Sequence, residues 1–366
     1  MKSIIAIIYV LLNSFFVSCS FQTSFFQEIN KQYINKNLLI SPLSAYQVLG
    51  LTANGAKGET LNQMLLALGN TDLDELNEIN KNILKIFKEF TTIEIANAVM
   101  TKVNPKETFL DAAELYEATV EPLKNVAQVN NWCNLKTHGK IKEIIDELEE
   151  GTLMVLLNAL YFKGTWKIEF DERNTTKQIF YNYNKQSNSK KVDKMKVKEK
   201  FNYYEDREAQ IIELPYKSDG MSAIIILPNE EKDINEYISE LSDEKLQRLL
   251  KRMYEETVTL EIPKFKLEFS SLLNSVLQKL GMVIPFAGNA DFSGIVDEDL
   301  YISKVIQKTY LSIDEIGTEA AAVTAVVMRN SIDSSMVIDR PFLFMLRNKN
   351  LPQNYEMLFI SKIEEL

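Results

Sequence analysis

The chain has 366 residues and a formal net charge of -10 at pH 7. That acidity argues against a nucleic-acid partner, because phosphate binding draws its affinity from clustered Lys and Arg, and it disfavours other acidic partners too. With 46% hydrophobic and 25% charged residues, and no compositional break, the chain reads as one globular body rather than a disordered or fibrous one.

The N-terminus differs from the rest. Lys2 precedes an apolar stretch over 4–17, and the small residues Ser18, Cys19 and Ser20 follow, the pattern of a cleaved secretory signal over 1–19 with a mature body over 20–366. About fourteen apolar residues fall short of the roughly 20 that span a bilayer. No later segment is apolar enough to cross one, so the expected product is exported, soluble and free of membrane. Removal of the signal leaves Cys133 without a partner, and the fold must then hold by its core rather than by a disulfide. Asn174-Thr175-Thr176 is an N-glycosylation sequon, relevant if the chain is exported.

Phe21, Phe25, Phe26, Ile29 and Tyr33 recur at helical spacing and predict an amphipathic helix at the start of the mature chain. The stretch 71–90 is rich in Leu, Ile, Asn and Glu without Gly or Pro, and reads as further helix. A helix-like segment over 129–150 ends near Gly151. The apolar run 153–162 then has the length of a buried central strand. Residues 184–200 carry seven lysines among polar neighbours and read as a solvated loop, with polyanion binding disfavoured. Strands are expected at 223–227, 258–262, 341–346 and 356–360.

Enzyme readings lack parts. His138 is the one histidine, so any nucleophile activated by imidazole must use it. Its setting, Lys136-Thr137-His138-Gly139-Lys140, is that of a surface or capping residue where a helix pauses. Cysteine and histidine are too few for a structural zinc site, and no Gly-rich phosphate loop or HExxH pair is present. No cofactor or metal is expected, and a carboxylate acid/base pair is unsupported.

The informative stretch is 317–328, GTEAAAVTAVVM, which is small, β-branched and free of proline. As an extended strand it would point Thr318, Ala320, Ala322 and Thr324 to one face and Glu319, Ala321 and Val323 to the other. The single charge then falls on one face only, so the first set can be buried without an unpaired charge. With no proline, every ladder donor is available.

Here the sequence resembles the serpin family. Glu315-Ile316-Gly317-Thr318-Glu319-Ala320-Ala321-Ala322 is similar to the hinge of inhibitory serpins. Asn37-Leu38-Leu39-Ile40-Ser41-Pro42-Leu43-Ser44 resembles the NxxxSPLS segment. Asn131-Trp132 through Thr137, with Gly139-Lys140-Ile141, resembles the NxW...TxGKI helix. Asn158-Ala159-Leu160-Tyr161-Phe162-Lys163-Gly164-Thr165-Trp166 resembles NALYFKGxW. Leu214-Pro215-Tyr216, Ile262-Pro263-Lys264-Phe265 and Asp339-Arg340-Pro341-Phe342-Leu343-Phe344 follow in the family's order.

The resemblance implies an α+β serpin fold with about eight or nine helices, three β-sheets and an exposed reactive-centre loop over about 315–340. It implies a monomeric suicide-substrate inhibitor of serine peptidases, which traps the target in a covalent complex by inserting the loop into the main sheet. A noninhibitory carrier or chaperone, or an inhibitor of papain-like cysteine peptidases, is the alternative. Ser41, Ser44 and Asn158 match the polar cluster beneath the sheet opening, and Trp166, Lys264 and Glu315 the region where insertion begins. Gln307 stands where most members place a histidine, and Ser361 where a glycine is usual. Fourteen positions after Gly317 lies Ser331, which places the reactive bond at Ser331-Ile332. Arg329 would instead suit a trypsin-like pocket and places the bond at Arg329-Asn330, and counting back from Pro341 points near Asn330.

Overall fold

In the computed structural model the described residues are 20–88, 93–183, 188–318 and 334–366. Among them lie nine α-helices: α1 (Phe21–Asn30), α2 (Pro42–Ala53), α3 (Gly58–Ala67), α4 (Leu73–Phe87), α5 (Glu107–Leu115), α6 (Val126–Lys136), α7 (Ile234–Ser239), α8 (Asp243–Arg252) and α9 (Asn274–Lys279). The strands are β1 (Leu38–Ile40), β2 (Ile93–Thr101), β3 (Thr119–Pro122), β4 (Met154–Phe162), β5 (Gly164–Thr165), β6 (Thr176–Tyr181), β7 (Ser189–Glu205) and β8 (Ala209–Pro215), then β9 (Met221–Pro228), β10 (Tyr254–Pro263), β11 (Phe265–Leu272), β12 (Ile302–Ile313), β13 (Gly317–Thr318), β14 (Ser334–Val337), β15 (Phe342–Asn348) and β16 (Met357–Ile363). They form three sheets. One has nine strands, one has five in the order β11-β12-β4-β2-β3, and β13 pairs with β5 in a third.

Helix α2 shows how the sequence builds the centre. Ser41 caps it by accepting the Ser44 amide, Pro42 opens its first turn, and all twelve of its residues are buried. A helix apolar all round belongs inside a protein, and α2 packs against β2 and β4 of the five-stranded sheet and β16 of the nine-stranded one. The predicted apolar run appears as β4, buried along its whole length. Phe25, Phe26 and Ile29 of α1 are buried as their spacing requires. On the outer face of the five-stranded sheet, Val129, Trp132 and Cys133 of α6 cluster with Ala98, Val155, Leu157 and Ile306.

Two sequence expectations are corrected. The lysine-rich stretch is not a loop: from Ser189 it is strand β7, paired with β10 from Lys194 to Tyr203. Met195, Val197, Phe201 and Tyr203 alternate into the core, a period-2 pattern that the charges between them obscured. The helix expected over 129–150 ends at Lys136. His138 and Gly139 take positive φ values of 50° and 78° and turn the chain. The Asn130 side chain then serves the non-helical backbone beyond, accepting from the amides of Ile144 (2.9 Å) and Ile145 (3.1 Å) and donating to the Ile145 carbonyl (2.9 Å). No helix among the described residues is long and apolar enough to cross a membrane.

Candidate functional site

At the centre of the five-stranded sheet β12 runs parallel to β4 in a seam paired from Ile302↔Met154 to Thr309↔Leu160; the sheet's other parallel pair, β2–β3, lies at its edge. The seam's neighbours β11–β12 and β2–β4 are antiparallel. In the middle of the seam the register sets Gln307 beside Asn158 and Asn158 beside Asn97. These three buried amides form a chain across three strands. Gln307 Nε2 donates to Asn158 Oδ1 (2.7 Å), and Asn158 Nδ2 donates to Asn97 Oδ1 (2.6 Å) and to Ser44 Oγ. Gln307 also reaches the start of α2, accepting from the Ser41 amide at 2.9 Å and donating to the Ser41 carbonyl at 2.8 Å. The amide thus both donates and accepts, as a neutral imidazole would, but cannot titrate near neutrality. Asn97 belongs to this cluster and was not foreseen from sequence; its signal was a single polar residue in the apolar run 95–100 of strand β2.

Beyond Thr309, β12 runs on to Ile313, and the chain turns through Asp314, Glu315 and Ile316 into β13. The turn is held from several sides. Asp314 Oδ1 accepts from the amides of Ile316 (3.0 Å) and Gly317 (3.2 Å). Trp166, stacked on Tyr216 with ring centroids 4.3 Å apart, donates its indole N–H to the Asp314 carbonyl (3.0 Å) and its amide to the Ile316 carbonyl (2.8 Å). The Glu315 carbonyl accepts from the Phe170 amide at 2.8 Å. The Glu315 carboxylate is buried against Lys264 Nζ at 2.7 Å and Thr175 Oγ1 at 2.7 Å.

Burial alone would raise the Glu315 pKa, but hydrogen bonds from Lys264, Thr175 and its own backbone outweigh it and hold the carboxyl below its ordinary value. Burial likewise works against the Lys264 charge, yet the Glu315 contact keeps that ammonium above its ordinary value. The pair is therefore ionised across the neutral range. Gly317 then pairs with Thr165. At φ +146°, a Cβ there would lie 2.1 Å from the Gly164 carbonyl oxygen, so only glycine lets the hinge backbone approach β5 so closely.

Of the residues singled out from the sequence, Ser41, Ser44, Asn158 and Gln307 meet in the seam, and Trp166, Lys264, Glu315 and Gly317 meet at its mouth. Glu319, Ala320, Ala321, Ala322, Arg329, Asn330, Ser331 and Ile332 lie outside the described residues, as does the side chain of Thr318 and the leader 1–19. Ser361 is buried and donates to the Phe344 carbonyl at 3.1 Å, so the extra hydroxyl is satisfied. His138 is exposed and packs edge-on against Tyr161. Cys133 is buried, and burial pushes its thiol up to about 12, which leaves it inert as a nucleophile. Among the described residues no group of His, Cys, Asp or Glu is placed to hold a metal ion.

The family model described as "Serpin (serine protease inhibitor)" matches residues 17–365. The chain belongs to the serpin family. It is 33% identical to Iripin-2 of Ixodes ricinus over 90% of this chain and 88% of that protein, and 32% identical to human antithrombin-III over 94% and 80%. Among solved structures, the thermophilic serpin tengpin in its native state superposes with a TM-score of 0.85 at 33% identity, covering 95% of this serpin and 92% of tengpin. A thyroxine-binding globulin in complex with thyroxine superposes at 0.84 and 25% identity, covering 95% and 98%. Serpins are protease inhibitors rather than catalysts as a family, and the α+β fold with nine described helices and three sheets is theirs.

Proposed function

We propose that this serpin is exported and inhibits a serine peptidase as a suicide substrate. The observation that carries the reading is the parallel β4–β12 seam, with a glycine hinge docked at its mouth and a small-residue, proline-free segment following it. The peptidase serine attacks the carbonyl of the scissile bond, the ester forms, and the new amine end leaves with the C-terminal part of the loop. The freed hinge is then drawn between β12 and β4 before water can hydrolyse the ester, as loop insertion works in serpins generally. A dozen inserted residues making ladder bonds worth about 1 kcal/mol net each would gain on the order of 10 kcal/mol. That matches the whole stability of an ordinary domain, so the active form is held by kinetics.

Export rests on the leader pattern of residues 1–19. A carrier role has less support. Cavities of about 590 and 340 Å3 are roomy enough for an organic ligand, but they are open clefts lined mainly by charged side chains, among them Lys177, Lys190 and Lys266 in one and Asp206, Lys245 and Arg248 in the other, whereas ligand pockets are mostly apolar. The test is to mix the protein with a panel of serine and papain-like cysteine peptidases and look for a complex that survives SDS and boiling. The mass of the released C-terminal peptide then fixes the bond: a start at Ile332 places it after Ser331, and a start at Asn330 after Arg329. Cleavage as a plain substrate by every member of the panel would overturn the proposal.

A further inference from the structure

The segment between β5 and β6 supplies much of the hinge's attachment: the Trp166 amide and indole, the Phe170 amide and the Thr175 hydroxyl all bond to 314–316. Asn174, in the 3-10 turn Glu172–Asn174 of that segment, immediately precedes Thr175 and opens the sequon Asn174-Thr175-Thr176. Its amide N–H donates to the Asp171 carbonyl at 2.8 Å. Its side chain is exposed and makes no hydrogen bond among the described residues, so a substituent there breaks nothing inside the protein. A seam able to part for its own strand can part for the same strand from another copy, just as sheet edges can pair with a second chain.

We propose that Asn174 carries an N-linked glycan, and that this glycan guards the mouth of the β4–β12 seam against a strand from a second copy. In the transfer, the Asn174 amide nitrogen displaces the diphosphate of a lipid-linked oligosaccharide. The C–N glycosidic bond forms, the amide loses one proton and the lipid diphosphate leaves. The bulky, hydrated glycan is rooted one residue from the Glu315 clamp and sweeps the solvent outside the mouth. The protein's own loop starts inside that volume, at Gly317 on β5, whereas an incoming chain must cross it. The guard therefore acts between molecules and spares the inhibitory reaction.

The proposal rests on export, so the chain is expressed in insect cells twice, with its own residues 1–19 and with a standard secretory leader in their place. With the standard leader, the secreted protein is expected to exceed its sequence mass by a glycan that peptide-N-glycosidase removes and that Asn174→Gln and Thr176→Ala both lack. Held a few degrees below its unfolding temperature, each variant should self-associate roughly 3- to 10-fold faster than the glycosylated protein while forming peptidase complex with unchanged stoichiometry. An unshifted mass with the standard leader overturns the site, and equal self-association of glycosylated and variant proteins overturns the guard. Retention of the chain bearing its own leader overturns export alone, because the standard-leader result stands apart from it.

Discussion

Replacing Gln307 by Ala removes the side chain that ties β12 to both β4 and α2. The Ser41 carbonyl keeps a second donor in the Ala45 amide, but the Ser41 N–H and Asn158 Oδ1 lose the one partner each has among the described residues, in a fully buried site. A buried polar group left unsatisfied costs about 1–3 kcal/mol, so the two together destabilise the native form by roughly 3–4 kcal/mol. Unfolding entropy of about 2.1 cal/mol/K per residue gives roughly 0.7 kcal/mol/K for a body of this length, and Tm should fall by about 4–6 °C. The assay is thermal unfolding at one fixed scan rate, since a fold held by kinetics, as proposed above, has a scan-rate-dependent Tm. Asn158→Ala and the double variant complete the cycle, and their effects should be strongly non-additive because both remove the same bond. A fall under about 1 °C for Gln307→Ala, or strict additivity with Asn158→Ala, would refute the view that the amide chain holds the seam.

The hinge clamp has a defined pH window. Glu315 is held below 4.5, so its contribution is present above that value and lost as pH falls through its lower folded pKa. Lys264 is held above 10.5, so its contribution is present below that value and lost as pH rises through its higher folded pKa. Proteolysis of the hinge at Gly317 should therefore be flat in rate from about pH 5 to 9 and accelerate below about 4.5; a rise between pH 6 and 8 would point to a different clamp. Gly317→Ala forces its Cβ against Gly164 and should lower Tm by about 2–4 °C through strain of order 1–3 kcal/mol, whereas an unchanged Tm would show that the hinge can sit away from β5. Thr318→Arg should turn the inhibitor into a substrate, because a cation on the face expected to enter the sheet slows insertion until deacylation wins; an unaltered stoichiometry of inhibition rejects that facing. Cleavage within 319–333 should raise Tm by well over 10 °C, as the cut loop completes the sheet, and a Tm at or below that of the intact protein would mean that no strand is added.

How much of this could be read in the sequence depended on whether the signal was local. The helix α1 and the strand β4 were legible because periodic or continuous apolar runs carry their own burial. Strand β7 was not, because its alternating core residues are outnumbered by lysines on the opposite face. Helix α6 was overextended, since only the left-handed turn at His138 and Gly139 ends it. Gln307, Asn158, Lys264 and Glu315 came from family resemblance, and the structure supplies the contacts behind it. Asn97 meets Asn158 from 61 residues away, and Thr175 meets Glu315 from 140 away. A threonine in a polar turn gives no local hint of such a partner.

The sheet's topology explains why control gathers at these few side chains. A strand running back from Gly317 would be antiparallel to β12, and, since β12 and β4 run parallel, antiparallel to β4 as well. It would exchange one parallel ladder for two antiparallel ones, and parallel pairing is the slightly weaker kind per residue. On the proposed mechanism the backbone would therefore favour opening the seam, and resistance would have to come from groups that cross it or close its mouth. Those are the amide chain of Gln307, Asn158 and Asn97 within, and Lys264, Thr175 and Trp166 above. Under the proposed insertion mechanism, substitutions in the nine-stranded sheet should shift the stability of the inserted and uninserted forms alike, because that sheet would gain no strand. Substitutions in the seam would act on the barrier between them, so they should change the ratio of trapped to released peptidase well before they change whether the chain folds.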